Sequence, residues 1–186
     1  GLRGIYMSNY FPWDEVEHTK LMIDKYGFET FQKRETSFNL YSKVDDFFQD
    51  THNYLKYLKF GYGRVTDQVS TEIRNQRMTR EEGIEYIKKY EHNIVPNNLK
   101  AFCEFAGLSK EEFLENIEHL RDMSMWKKNG NNEWEIMDWI GNHITDEGIE
   151  ESRLLIKEKW DSLKSKKYLS PRKPLQPDNG EDMVFL

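Results

Sequence analysis

Cysteine is almost absent from this chain, in which Cys103 is the only one among 186 residues. A single thiol excludes an intramolecular disulfide and any thiolate metal site built by this chain alone. It also agrees with a reducing compartment, so we expect a cytoplasmic protein. Because Cys103 lies among apolar neighbours in LKAFCEFAG, we predict a buried structural thiol rather than a nucleophile.

Long apolar runs and common catalytic motifs are also missing. No run has the length of a membrane-spanning helix, and the first residues do not resemble a signal peptide. There is no Gly-x-Ser-x-Gly, no Walker loop and no GxGxxG. The chain begins with Gly1 rather than methionine, so we expect a portion of a longer protein. No metal site is expected from the histidines, because they lack metal-ligand spacing: His18, His52, His92, His119 and His143.

Charge and large aromatic rings are plentiful instead. Charged residues make up 32% of the chain and hydrophobic residues only 37%, with a net charge of -6. Aromatic residues reach 14%, and large rings can build a core from few residues. The length suits one domain or slightly more. We therefore expect a folded, thin, helical structure.

Local patterns predict a mostly α-helical chain with a short N-terminal strand at residues 5–8 and a C-terminal β-hairpin. Asp14 and Gly27 frame the first helix, and capping boxes begin helices at Thr79 and Ser109. The turn dipeptide Asn129-Gly130 centres the hairpin over 126–139. The predicted helices span 14–26, 42–60, 65–75, 79–92, 96–107, 109–122 and 146–165, with 28–40 as loop or irregular strand.

The C-terminal tail differs from the rest in composition. From Ser170 onward it holds three of the five prolines, which predicts an extended arm without a core of its own. Its last four residues, 183–186, are apolar. We expect them to dock on a partner or on the body of this chain.

A basic segment at residues 54–83 is the strongest candidate for a functional site. After the Gly-Tyr-Gly of residues 61–63, four arginines fall within 17 residues, opposed only by Asp67 and Glu72. Arginine side chains and glycine-exposed backbone N–H groups both suit phosphate or carboxylate oxygens, so an anionic ligand is indicated. The alternative is a pair of amphipathic helices with solvated arginines that pair with nearby acids. The arginines are Arg64, Arg74, Arg77 and Arg80.

Helical spacing brings further candidates together. Asp67, Ser70 and Arg74 are three and four residues apart, so one ligand could contact all three. The same spacing also suits an ordinary surface ion pair. Near the N-terminus, the predicted strand-loop-helix order makes Asn9 and Trp13 candidate ligand contacts. The alternative, which the sequence alone favours, is a helix cap with a packed tryptophan.

Several long runs resemble a known family. They are NYFPWDEVEHTK at residues 9–20, YLKYLKFGYGRVTD at 54–67 and EIRNQRMTREEG at 72–83. These runs resemble the C-terminal half of the N-acetyl sugar amidotransferase family, and EWEIMDWIGNHI at 133–144 is similar to its end region. The resemblance extends to about residue 155.

This resemblance implies an enzyme of the PP-loop ATP pyrophosphatase class, with an α/β adenine nucleotide α-hydrolase-like fold. Such an enzyme uses ATP with Mg²⁺ to adenylate the acetamido oxygen of an N-acetyl sugar. Ammonia from a glutaminase subunit, acting with a cyclase-like subunit, then gives an acetamidino group. The products belong to bacterial lipopolysaccharide or flagellin glycans of the pseudaminic acid type.

Two family features are missing here, the Ser-Gly-Gly-x-Asp-Ser nucleotide loop and the paired cysteines, and both would precede Gly1. The chain is therefore interpreted as the C-terminal portion, inactive alone. Residues 1–30 would end the nucleotide-binding domain, and 31–125 would form a helical substrate- and phosphate-binding region. The hairpin and final helix would occupy 126–165, followed by the tail at 166–186.

The resemblance also implies roles for the basic segment. Lys59 and Arg64 would be catalytic, neutralising the α/β-phosphates or the leaving pyrophosphate as charge builds on its oxygens. Gly61 and Gly63 would contact phosphate. Arg74 and Arg77 would bind an anionic sugar or its diphosphate, and Asp67 and Ser70 its hydroxyls or the arginines.

Two other functions remain open. One is a helical RNA- or tRNA-binding module of a PP-loop type enzyme, although the acidic pI of 5.5 argues against it. The other is a non-catalytic module that docks a glutaminase subunit through apolar surface.

Overall fold

The computed structural model describes residues 4–9 and 13–143, together with residues 154, 157, 158 and 161. The chain divides into two compact units, one formed by 1–29 with 147–186 and the other by 30–146. The four isolated residues are helical and fall within the last predicted helix. The rest of that helix and the predicted tail lie outside the described residues.

The first unit contains helix α1, Glu15–Tyr26, which confirms the first predicted helix. The Asp14 carboxylate accepts a hydrogen bond from the Val16 N–H at 3.0 Å, and Gly27 ends the helix at φ 65°. No residue of α1 is buried.

The short N-terminal strand predicted at residues 5–8 is wrong. Residues 4–6 have no regular structure, and Met7–Asn9 forms a 3-10 helix instead. Ile5, Tyr6 and Met7 are all at least half exposed. An isolated strand needs a neighbour to satisfy its backbone groups, and no partner strand pairs with it in the described part of the chain.

The described part of the second unit contains five helices and a hairpin, and it confirms the predicted helices between residues 65 and 122 with small differences at their ends. Residues 28–40 are irregular, as predicted. Capping boxes at Thr79 and Ser109 are both formed. The elements are α2 Gln49–Phe60, α3 Arg64–Arg74, α4 Arg80–Tyr90, α5 Pro96–Ala106, α6 Lys110–Glu118, β1 Trp126–Lys128 and β2 Trp134–Ile136, followed by a 3-10 helix, Ile140–His143.

Helix α2 begins seven residues later than the predicted helix over 42–60. Side chains hold the preceding segment in turns: the Asn39 Oδ1 accepts from the backbone N–H groups of Tyr41 and Ser42 at 3.0 and 2.9 Å. The Asp46 carboxylate likewise accepts from the Phe48 N–H at 3.0 Å. Asn and Asp side chains offer the backbone these local bonds in place of helical ones, which explains the late start.

Two apolar clusters hold the second unit together. Helices α2, α5 and α6 bury the first cluster, which includes Cys103 as predicted. The second lies between α3 and α4, where Gly83 is required: a Cβ there would come within 2.3 Å of a Val69 methyl group. The first cluster consists of Leu58, Leu99, Cys103, Phe113 and Ile117, and the second of Val65, Val69 and Ile87.

A third buried region is polar. It joins the irregular segment before α2 to the first half of α2 and to α3. The Ser37 hydroxyl donates to Gln68 Oε1 at 2.8 Å, and the Gln49 amide donates to Asn53 Oδ1 at 2.6 Å. We call this region the buried polar layer; it contains Thr36, Ser37, Asn39, Gln49, Asn53 and Gln68.

The predicted hairpin is present, with Trp126 paired to Ile136 across β1 and β2. The connection is longer than a two-residue turn, because the Asn129 side chain accepts from the N–H groups of Asn131 and Glu133. The Trp126 indole is buried and donates to the Leu58 carbonyl at 2.8 Å. The hairpin is thereby fixed to the last turn of α2. Among the described helices, none is both long and apolar enough for a bilayer crossing.

Candidate functional site

Two glycines connect α2 to α3, and we call residues 61–63 the glycine junction. Gly61 ends α2 at φ 70°, a conformation that favours glycine, and its N–H donates to the Tyr57 carbonyl at 2.9 Å. A Cβ at Gly61 would also lie 3.0 Å from the end of the Met125 side chain. The chain therefore turns sharply at Gly61, a position that only glycine occupies without strain.

The side chain of Glu91, the residue that follows α4, reaches the N-terminus of α3. Its carboxylate accepts hydrogen bonds from the Gly63 N–H, from the Thr66 hydroxyl at 2.6 Å and from the Thr66 N–H at 3.3 Å. A Cβ on Gly63 would lie 3.0 Å from that carboxylate, so glycine leaves room for it. A helix N-terminus attracts negative charge, and here the protein supplies that charge itself.

Burial dominates the titration of this group. Glu91 is only 8% exposed, and desolvation raises the pKa of its carboxyl, against the hydrogen bonds from Thr66 and Gly63 that lower it. The charge of Asp67 nearby raises the pKa further. The carboxyl is thus held at the junction by three donors, while burial shifts its pKa upward from the ordinary value.

Both glycine N–H groups at the junction are therefore engaged within the protein. An anion at this place would meet side chains rather than the glycine backbone. The assignment of Gly61 and Gly63 to phosphate contact stays a prediction, and their observed role is to shape the junction.

Lys59 and Arg64 lie on either side of the junction, in the last turn of α2 and the first turn of α3. Lys59 is exposed, and its ammonium lies 5.3 Å from the centre of the Phe60 ring. Arg64 is partly exposed. Neither forms an ion pair or a side-chain hydrogen bond with the described residues, so both positive charges are available to a ligand.

The other predicted residues of this segment have partners within the protein. Asp67 forms an ion pair with Lys56, which also lies 4.9 Å from the Tyr62 ring centre. Arg77 binds Glu72 through two nitrogens, at 2.5 and 2.8 Å. The predicted pairing of arginines with nearby acids is therefore present at Arg77.

Asp67, Ser70 and Arg74 all lie on α3, which keeps the helical spacing that places them on one face. Ser70 is partly exposed. Arg74 donates to the Thr71 hydroxyl at 3.2 Å. These three, with Lys59, Arg64, Arg77 and the two glycines, all belong to the second unit.

Asn9 and Trp13 belong to the first unit. Asn9 ends the 3-10 helix, and Trp13 is 64% exposed, with its ring edge-on to His18 at 5.0 Å. Neither residue caps α1, since Asp14 does so. Their assignment as ligand contacts stays a prediction.

Sequence reasoning missed Glu91, which controls the geometry of the junction. One pattern pointed to it: an acid at the C-terminal end of a helix opposes the helix dipole, and Glu91 follows the last residue of α4. Such a position requires compensation from elsewhere, and α3 supplies it. The buried polar layer was missed as well, because residues 28–40 lack any periodic pattern.

Within residues 4–9 and 13–143 and the four isolated ones, no group of three or more His, Cys, Asp or Glu side chains is placed to hold a metal ion.

The chain matches a family model described as LPS biosynthesis protein WbpG-like, C-terminal domain, over residues 17–140. That range covers more than half of the chain and includes the glycine junction, the basic segment at residues 54–83 and the hairpin. The chain belongs to this family. The WbpG-like domain is thus a member of a lipopolysaccharide biosynthesis family, in agreement with the surface-polysaccharide context implied by the resemblance. No curated protein matches the chain.

Proposed function

We propose that this WbpG-like domain is the C-terminal portion of an ATP-dependent amidotransferase with an α/β PP-loop fold. Its reaction converts the acetamido group of an N-acetyl sugar into an acetamidino group. The observation that carries the proposal is the pair of available cations, Lys59 and Arg64, at the glycine junction of a lipopolysaccharide biosynthesis domain. The runs at residues 54–67 and 72–83 that resemble the amidotransferase family lie within the matched range.

The proposed reaction has two steps. The acetamido oxygen attacks the α-phosphorus of ATP, a P–O bond forms, and pyrophosphate leaves. Ammonia then attacks the activated carbon, AMP leaves with the former acetamido oxygen, and a C=N bond replaces the C=O bond. A glutaminase subunit with a cyclase-like subunit supplies the ammonia.

In this proposal Lys59 and Arg64 stabilise the negative charge that builds on the phosphates as pyrophosphate leaves. ATP brings its Mg²⁺ on the phosphates, which is the usual way Mg²⁺ enters sites with few protein carboxylates. Arg74, in the last turn of α3, and Arg77, three residues after that helix ends, would bind an anionic sugar or its diphosphate. Asp67 and Ser70 would contact sugar hydroxyls or orient these arginines.

The test measures pyrophosphate and AMP released by the protein that carries this chain. It is supplied with ATP, Mg²⁺, ammonium chloride and, in turn, nucleotide-linked and nine-carbon N-acetyl sugars. We expect release that requires the sugar, with mass spectrometry showing oxygen replaced by NH in the product. If no sugar supports pyrophosphate release, the proposed function is wrong.

Variants then locate the site. Lys59→Ala or Arg64→Ala should each lower the turnover rate by roughly a hundredfold, as the loss of one transition-state donor does. Lys110→Ala is the matched control, because Lys110 is an exposed lysine on α6. Unchanged pyrophosphate release in both junction variants would refute their catalytic role.

A further inference from the structure

A cleft of about 380 Å³ opens beside the buried polar layer, within the second unit. Its walls come from the irregular segment between Phe31 and Phe47, from Asp50 at the start of α2, and from Val95 and Asn98 at the start of α5. None of the residues at the glycine junction lines it. Its volume falls within the range of small-molecule sites, about 300–1,000 Å³.

One wall of the cleft is held rigidly by a buried ion pair. The Arg34 side chain is only 6% exposed and donates to Asp50 Oδ1 at 3.1 Å and to the Ser42 carbonyl at 2.9 Å. Thr36 donates to the same Asp50 oxygen. The second oxygen of Asp50 has no donor among the described residues. The cleft therefore contains a fixed carboxylate that can accept a further hydrogen bond.

Aromatic surface completes this wall. Phe47 is 62% exposed although it is large and apolar. The Arg34 guanidinium carbon lies 4.8 Å from the centre of the Phe31 ring. Asn98 donates from its amide nitrogen to the Phe47 carbonyl at 2.8 Å, which fixes the backbone at Phe47 and leaves the amide oxygen as an acceptor. An exposed ring beside polar acceptors suits a ligand with one apolar face and several hydroxyl groups.

The charges of the lining exclude phosphate. Arg34 and Asp50 neutralise each other, and Glu35, Asp45 and Asp46 then outnumber Lys33. An anion would meet repulsion here, whereas hydroxyl groups can donate to carboxylates. The cleft and the glycine junction therefore suit ligand groups of opposite character.

We propose that this cleft binds the ring of an uncharged sugar. Phe47 packs against the C–H face of the ring, and the oxygens of Asp45, Asp50 and Asn98 accept hydrogen bonds from its hydroxyl groups. That this ring belongs to the acceptor of the amidation rests on the proposed function, with the acceptor then a nucleotide-linked sugar whose charge lies in its diphosphate and not in its ring. Binding itself requires neither ATP nor the junction.

The test measures binding of the methyl glycoside of N-acetylglucosamine to the full chain by saturation-transfer NMR, without ATP. We expect saturable binding that sodium chloride does not weaken. Phe47→Ala should raise the dissociation constant roughly tenfold, since an aromatic contact contributes about that factor. Phe105→Ala is the matched control, because Phe105 is 78% exposed and lies outside the cleft lining. It should bind as the unchanged protein does.

A second variant guards against a folding defect. Asp45→Asn keeps the size of an exposed side chain, and it should weaken binding several-fold while the circular dichroism spectrum stays unchanged. Three results would overturn the proposal: no saturation transfer at millimolar sugar, equal loss in Phe47→Ala and Phe105→Ala, or displacement of the sugar by inorganic pyrophosphate.

The two proposals fail in different ways. Sugar binding without pyrophosphate release from ATP would leave the cleft proposal standing and refute the amidotransferase. Sugar-dependent pyrophosphate release whose KM for the sugar is unchanged in Phe47→Ala would refute the cleft proposal alone.

Discussion

Helix α2 passes through two different interiors. Its second half buries Leu58 against Leu99, Cys103 and other apolar residues of α5 and α6. Its first half buries Gln49 and Asn53 in the polar layer, where the Gln49 amide donates to Asn53 Oδ1. One twelve-residue helix thus contributes both to a core held by apolar contact and to one held by hydrogen bonds.

The two halves should respond differently to substitution. Apolar contacts are non-directional, so a side chain of similar volume replaces another at small cost. A buried polar network depends on every partner, because each orphaned donor or acceptor carries its full desolvation cost. The polar half is therefore more specific and less tolerant, and it is also the half that borders the cleft.

The largest effect is expected from Asp50→Ala. The change leaves the buried Arg34 guanidinium unpaired and removes the acceptor of the Thr36 hydroxyl. Loss of one partner of a buried pair costs about 3–5 kcal/mol of the free energy of unfolding. Urea denaturation of the variant measures it.

The matched control is the double variant Arg34→Met with Asp50→Leu. With both charges replaced by apolar side chains, the loss should be smaller than in Asp50→Ala alone. A loss below about 1 kcal/mol for Asp50→Ala would show that water compensates Arg34.

Leu58→Ala tests the apolar half. Leu58 is 1% exposed, so truncation leaves a cavity and should cost about 3 kcal/mol of unfolding free energy. Leu58→Met keeps the volume and should cost less than about 1.5 kcal/mol. If the two variants were equally unstable in thermal and urea unfolding, the tolerance attributed to this half would be wrong.

Ser37→Ala should have an intermediate effect. Ser37 is 1% exposed, and its loss removes the donor to Gln68 Oε1 and the acceptor of the Asn39 N–H. Groups left without partners cost about 1–3 kcal/mol. Ser70→Ala on the partly exposed surface of α3 is the control and should be nearly neutral. Equal stability of the two variants would mean that the polar layer is not tightly coupled.

Glu91→Gln is expected to change a pH slope rather than to remove much stability. Burial raises the pKa of the folded Glu91 carboxyl above the ordinary value of 4.5. At pH values between the ordinary pKa and the raised pKa of folded Glu91, the folded protein binds more protons than the unfolded chain. The free energy of unfolding therefore falls as pH rises through that window, and Glu91→Gln should flatten the fall.

Glu112→Gln provides the opposite sign. Hydrogen bonds from the Ser109 N–H and hydroxyl lower the pKa of Glu112, so its stabilisation is present above the ordinary pKa and lost as pH falls. Chemical denaturation from about pH 2.5 to about pH 7 compares the two variants, because the Glu112 loss occurs below the ordinary carboxyl pKa and the Glu91 fall occurs above it. An identical slope in Glu91→Gln and the unchanged protein would contradict the role assigned to Glu91.

The elements predicted best were those with explicit end signals. The capping boxes at Thr79 and Ser109 and the glycine after α5 fix helix ends by local hydrogen bonds, which a sequence displays directly. The start of α2 could not be placed in this way. Its preceding turns depend on Asn39 and Asp46 accepting hydrogen bonds from the backbone, and the sequence carries no capping box there to mark the helix start.

The candidate site was predictable in part. The glycine junction and its flanking cations follow from composition along the chain, since Lys59 and Arg64 are local to it. Glu91 could not be identified, because its position at the junction depends on how α4 packs against α3. The cleft was missed for a similar reason: its residues come from three separate segments, and none carries a motif.

The hydrogen bond from Trp126 to Leu58 has a consequence for the order in which the chain folds. Most helix contacts here join neighbours in sequence, such as α3 with α4 and α5 with α6, and these can form as each pair is synthesised. The indole contact spans 68 residues. The last turn of α2, beside the glycine junction, therefore gains this hydrogen bond only after the hairpin has been synthesised. In a ribosome-bound chain that ends before Trp126, the Leu58 carbonyl lacks the indole donor that it has in the finished protein.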